Sequence, residues 1–256
     1  MPNIFGILAS SVSAFDPLSI AGCKLWLDAA DTSTISLSGS AVTQWDDKSG
    51  NAYNFTQGTG ANRPSSGTRT QNGLNVIDFD GTNDLLTTTA AKSAFNFLHY
   101  LTSTIFQVVK LDTTAAVQGI MGAQGGSPNQ IGYVQFNIGT DEYIGAGAGA
   151  SPYVYQIIQT IGTTARYNTL KSDPANATVG NRALVSLNGA AFTGGNTANN
   201  TAVSSNSTST LSVGDAGTSG GIPLDGFIGE ILIYDTILSA GDITDVQTYL
   251  AGKWGI

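Results

Sequence analysis

Short apolar runs alternate along this chain with breaks rich in Gly, Ser, Thr and Asn, and the spacing within the runs is that of strands until the end. There, residues 227–234 are apolar on both faces. Phe227, Ile231 and Ile233 fall on one side, and Ile228, Leu232 and Tyr234 on the other, which predicts a central strand. Ser239 then suits an N-cap, and Asp242 places negative charge at the positive end of a helix. Ile243, Val246 and Leu250 follow at helical spacing, with Gly252 as the expected stop. Upstream, Leu25 and Leu27 share a face opposite Trp26. Ile77 and Phe79 point inward against Asp78 and Asp80, and Asp80 and Gly81 turn the chain into a hairpin. Residues 104–111, 133–138 and 153–161 predict further strands, with Val134, Phe136 and Ile138 on one face. Asn188 and Gly189 fit a two-residue hairpin turn. The Gly-rich pieces 119–130 and 145–149 read as a connection and a compact crossing, and the polar tract 193–210 reads as a long mobile loop.

Several motifs occur in a fixed order: Leu25-Trp26-Leu27-Asp28, Trp45-Asp46-Asp47-Lys48-Ser49-Gly50, Arg63-Pro64, Phe79-Asp80-Gly81 with Asp84, Glu230 before Tyr234-Asp235, and Lys253-Trp254-Gly255. Together they resemble concanavalin A-like, laminin-G-type jelly-roll modules of phage structural and bacterial surface proteins, over residues 22–256. The resemblance implies an all-β, two-sheet antiparallel jelly-roll sandwich with one C-terminal helix, occupying residues 20–256 behind an extended N-terminal arm, residues 1–19. Such a scaffold hosts lectins, hydrolases and inert structural proteins alike, so the fold leaves the activity open.

Composition narrows the partners. Only 11% of the 256 residues are charged, and the net charge is −8 with ten Lys and Arg, which argues against a nucleic-acid backbone as partner. No apolar run has the length of a membrane-spanning helix, so no membrane insertion is expected. Cys23 is the only cysteine, which excludes an internal disulfide, and it reads as a small buried hydrophobe. Residues 1–19 carry no Lys or Arg ahead of their apolar part, unlike a secretory signal. They read as a docking or oligomerisation arm whose contacts are Ile4, Phe5, Ile7, Leu8 and Phe15, with a disposable leader as the alternative.

Catalytic chemistry finds little support. His99 is the only histidine, and no Gly-x-Ser-x-Gly elbow occurs. Glycoside hydrolysis needs two carboxyl groups across the scissile bond, but Glu142 and Glu230 are the only glutamates, and Asp235 faces away from Glu230 on a regular strand. Calcium is the candidate ion that the resemblance implies, held by Asp80, Asn83 and Asp84, with Asp46, Asp47 and Asp215 in other loops. The same residues serve equally as turn formers. Tyr133, Tyr143, Tyr153, Tyr155 and Tyr167 offer rings for sugar stacking, although tyrosines alternating on a sheet also form cross-strand pairs. Trp26, Trp45 and Trp254 sit in the motifs and read as packing residues.

These readings point to a non-enzymatic structural or adhesion protein. The leading form is a phage virion component at the virion surface: a capsid decoration protein, head fibre or tail appendage. It would bind other virion proteins or its own copies through the arm, as a homotrimer. The alternative is a secreted or surface carbohydrate-binding module that recognises cell-surface glycans, with calcium as its ion. A glycoside hydrolase acting through Glu230 is the third.

Overall fold

The computed structural model describes residues 15–123, 130–149, 153–157, 161–194, 204–216 and 221–256. Of the arm contacts, Ile4, Phe5, Ile7 and Leu8 lie outside the described residues, and Phe15 lies within them. The strands are β1 (Cys23–Asp28), β2 (Ile35–Ser38), β3 (Ala41–Trp45), β4 (Phe55–Thr56), β5 (Ser65–Gln71) and β6 (Leu74–Asp80). They continue with β7 (Leu86–Thr88), β8 (Ser103–Leu111), β9 (Gln118–Gly122), β10 (Gln130–Ile138), β11 (Asp141–Gly149) and β12 (Tyr153–Ile157). The last are β13 (Arg166–Ser172), β14 (Ala183–Leu187), β15 (Thr193–Gly194), β16 (Ser212–Val213) and β17 (Asp225–Tyr234), before the C-terminal helix Ala240–Trp254. The fold is all-β and antiparallel, with that single long helix.

Strand pairing resolves into two layers. In one, β15, β14, β13, β8 and β17 follow side by side; the far edge of β17 pairs with β6 along its first half and β1 along its second, and β6 continues to β5. The other runs β2, β3, β4, β7, β16, β9, β10, β11, β12. A single pairing of Ala41 with Ser65 joins them. Leu25, Ile77, Ile105, Val185 and Ile231 of the first layer share one buried core with Trp45, Phe55, Leu86, Met121 and Ile144 of the second. The turn at Asp80 and Gly81 was expected to fold a strand back on itself. Instead it hands the chain from β6 in one layer to β7 in the other, because β6 pairs with β17 and β5 while β7 pairs with β4 and β16.

β17 is the central strand that its two apolar faces predicted, but its faces are not those of a regular strand. Ile228 stands opposite Val109, and Glu230 opposite Val108, so Gly229 is an extra residue, a β-bulge. The bulge puts Ile228 with Ile231 and Ile233 in the interlayer core, and Phe227 with Leu232 and Tyr234 beneath the helix. Strict alternation had paired Phe227 with Ile231. A Cβ at position 229 would lie 2.9 Å from the Trp254 ring and 3.0 Å from Val108, so glycine is what lets helix and strand approach here.

The helix caps the outer face of the first layer. Ser239 Oγ accepts from the Asp242 backbone N–H at 3.1 Å, as an N-cap does. Ile243, Val246, Leu250 and Trp254 are buried against Phe106, Val108, Phe227 and Leu232. Each such side chain contributes about 1.5–3 kcal/mol by leaving water. The helix does not stop at Gly252. It runs to Trp254 and ends at Gly255, whose φ of 66° is left-handed. Gln71 and Asn72 donate side-chain hydrogen bonds to the terminal carbonyls of Trp254 and Lys253, which support the helix past the expected stop at Gly252.

Other expectations are corrected locally. Within the 119–130 connection, residues 119–122 belong to strand β9, and residues 145–149 end strand β11. In each case the sheet supplies hydrogen-bond partners that outweigh the low strand propensity of glycine. Of the tract 193–210, Thr193–Gly194 form β15, and Asn206 and Thr208 are fastened to Asn96 and Lys92. The Asn188–Gly189 turn forms as predicted, with φ of 47° and 74°, and Ala190 N–H donates to Leu187 O at 2.9 Å.

Candidate functional site

The motifs from the two ends of the chain converge on Glu230. Its Oε1 accepts from Trp26 Nε1 and from Tyr249 Oη, each at 2.8 Å. Its Oε2 accepts from Lys253 Nζ and Trp254 Nε1, also at 2.8 Å. Lys253 and Lys48 both reach Asp28, at 2.7 and 3.0 Å. Glu230 is wholly buried, and burial with the nearby Asp28 charge raises its pKa, which Lys253 and the Trp254 indole partly offset. This arrangement clamps β1, β17 and the helix together and presents no carboxyl group to a substrate.

Glu142 is also wholly buried, in a polar patch between the layers. Gln135 Nε2 donates to it at 2.6 Å and pairs reciprocally with Gln107 at 2.7 and 2.8 Å. Asn168 Nδ2 donates to Glu142 at 3.3 Å, and its Oδ1 accepts from Arg166 Nε at 3.0 Å. Arg166 Nη1 and Nη2 have no hydrogen-bond partner among the described residues. Burial raises the Glu142 pKa and lowers that of Arg166, each offset in part by the opposite charge. The two glutamates thus sit in separate buried networks.

The proposed calcium ligands form a turn that satisfies itself. Asp80 Oδ1 accepts from the Thr82 and Asn83 backbone N–H groups at 2.8 and 3.4 Å, and Asp84 Oδ2 accepts from that of Asp80 at 3.1 Å. Burial and the Asp80 charge push the Asp84 pKa up to about 6. Asp47 is engaged with Trp26, Ser49 and Tyr53, Asp46 with Gln44, and Asp215 with Ile222. Among the described residues, no cluster of three His, Cys, Asp or Glu is placed to hold a metal.

His99 is buried beneath the 204–210 segment, its Nε2 3.1 Å from Ser205 O, and burial lowers its pKa. Cys23 is half-buried, its thiol pushed up to about 12 by burial, an inert setting. Tyr133 and Tyr167 are buried packing residues, and Tyr143 stacks on its cross-strand partner Phe136 at 5.2 Å. The side chains of Tyr153 and Tyr155 lie outside the described residues. Trp45 and Trp254 are buried and Trp26 is half-buried, as the motifs suggested.

An open groove runs along the outer face of β13 and β14 beside the start of the helix. One hollow of about 380 Å³ is lined by Lys171, Asp173, Asn176, Asn181, Leu184 and Ile237. A second, about 300 Å³, adjoins it at Lys171 and takes in Phe192, Leu238, Thr244 and Gln247. Asp173 Oδ2 accepts from Asn176 Nδ2 at 2.8 Å, and Gln247 Nε2 donates to Thr169 Oγ1 at 2.9 Å, so both amides are held in place. Lys171 Nζ lies 3.8 Å over the Phe192 ring. The groove therefore sets an acid, amides and an ammonium against apolar walls and one ring. Sequence reasoning missed it: residues 166–172 were not read as a strand, and nothing in the sequence showed that the helix would wall the face that carries Lys171.

No family model matches the chain, and no curated protein does. Solved structures do. Trypanosoma rangeli sialidase in complex with sialic acid superposes with a TM-score of 0.59 at 16% identity, covering 91% of this chain and 33% of that one. The binding domain of botulinum neurotoxin DC in complex with SialylT gives 0.55 at 11% identity, covering 92% of this chain and 52% of that one. The serotype D/C VPI 5993 binding domain gives 0.57 at 12% identity, with 92% and 53% covered. This chain thus spans about a third to a half of the solved chains it matches, and at these identities the likeness shows a shared sheet-rich fold.

Proposed function

We propose that the chain is a non-enzymatic carbohydrate-binding module on a concanavalin A-like jelly-roll scaffold, working in adhesion outside the cell. The groove along Lys171 carries this reading. A pyranose offers an apolar face with hydroxyls at its rim, and the groove offers apolar walls, a ring, fixed amides and a carboxylate. The solved neighbours in complex with sialic acid and with SialylT support it. The burial of both glutamates speaks for binding rather than turnover. A glycan array followed by NMR titration tests it: shifts should centre on Asn181, Lys171 and Phe192, and Asn181→Ala should weaken binding about tenfold. An array blank for the folded protein would end the proposal.

A second reading, a virion structural component displayed through residues 1–19, draws on how residues 15–20 are seated. Phe15 packs on Tyr249 with ring centroids 5.5 Å apart, and Tyr234 Oη donates to Pro17 O at 3.0 Å. The root of the arm is thereby fixed to the helix and to β17. Light scattering of the full chain and of residues 15–256 tests the arm: the full chain should assemble as trimers, and the shortened one should stay monomeric. Equal masses would remove the arm from assembly.

A further inference from the structure

The chain has ten Lys and Arg, and nine of them have acceptors within the protein. Lys24, Lys48, Lys110, Lys253 and Arg69 pair with carboxylates. Lys92, Arg63 and Arg182 donate to backbone carbonyls, and Arg166 to Asn168. Among the described residues, Lys171 alone finds no acceptor. The residue is half-buried, its ammonium rests over the Phe192 ring, and it stands on the wall shared by the two hollows.

An ammonium in that position has lost part of its water and gained no acceptor in exchange. Burial accordingly lowers its pKa with nothing to oppose it. In a chain of net charge −8 with eighteen Asp and Glu, a cation left without any acceptor among the described residues is conspicuous. Asp173 lines the same hollow but makes no ion pair with Lys171, and its Oδ2 is engaged by Asn176.

We infer that the groove takes an acidic glycan, with the carboxylate of a sugar acid meeting Lys171 while the amides of Asn176, Asn181 and Gln247 meet its hydroxyls. This rests on the glycan-binding reading and narrows its ligand class. A uronic acid and a sialic acid present the same group, so both are tested. A charge-assisted hydrogen bond to a partly desolvated ammonium is stronger than a neutral one, and salt weakens it.

The experiment is calorimetric titration of the full chain with matched pairs: trigalacturonate against its methyl ester, and sialyllactose against lactose. At least one free acid should bind about tenfold more tightly than its neutral partner, and added salt should narrow the gap. Lys171→Gln should abolish that preference with the melting temperature unchanged, and Lys171→Arg should keep most of it. The pair that shows the preference identifies the sugar acid. If acids and neutral partners bind alike, the acidic ligand is overturned and the glycan reading stands. A preference that survives Lys171→Gln likewise overturns the assignment to this groove. If neither acids nor neutral partners bind, both the inference and the reading fall.

Discussion

The indole of Trp254 donates to Glu230 Oε2 at 2.8 Å, joining the last turn of the helix to the middle of the central strand. Three further donors complete the carboxylate: Trp26, Tyr249 and Lys253. Glu230→Ala would leave the Lys253 ammonium and two indoles with a lost acceptor. It should cost about 3–5 kcal/mol in urea unfolding. Glu230→Gln keeps an acceptor but not the charge, and should cost less than Glu230→Ala. Glycan binding by the folded fraction should be unchanged in both. A loss below about 1 kcal/mol for Glu230→Ala would show that the clamp is incidental.

Glu142 and Arg166 are coupled through Asn168 without touching. Glu142→Gln and Arg166→Met should each destabilise, because each leaves the other charge buried without its counterpart. The double variant should lose less than the sum of the two, by more than about 1 kcal/mol in a double-mutant cycle. Strict additivity would mean that the two charges do not sense one another.

Gly229→Ala tests the bulge. The new methyl would press on the Trp254 ring and Val108, at 2.9 and 3.0 Å. Overpacking of this kind costs about 1–3 kcal/mol, and tryptophan fluorescence should report a displaced Trp254. A variant of native stability and spectrum would show that helix and strand are not held so closely.

Asp84 sets a pH dependence. Its folded pKa is about 6, above the ~3.9 of an unfolded aspartate, so the folded state holds the proton more tightly. This contribution to stability is fully present below about pH 4 and is lost as the pH rises through 6. Asp84→Asn should therefore raise the melting temperature relative to the parent at pH 7 and leave it nearly unchanged at pH 4. Parallel melting curves for the two proteins across that range would contradict the assignment.

Much of the fold is readable because its signals are local. The cap at Ser239, the faces of Leu25 and Leu27 and the turn at Asn188 each depend on a few neighbouring residues. Other features depend on residues distant in sequence. The Gly229 bulge is set by how closely Trp254 packs, and the helix end at Gly255 by Gln71 and Asn72. The groove is less readable still. Lys171 becomes distinctive only when every other basic residue has been paired, and those pairs span up to 225 residues, as Lys253 with Asp28 does.

The placement of β17 governs when the module can take shape on the ribosome. Strands β1, β6 and β8 all take their neighbour from residues 225–234. Until that segment leaves the exit tunnel, the apolar edges of three earlier strands stay open together. Folding of this module strand by strand from β1 is thus disfavoured, and its earlier strands must be kept soluble until residues 225–234 emerge. The low content of charged residues makes that interval the period of greatest exposure to aggregation.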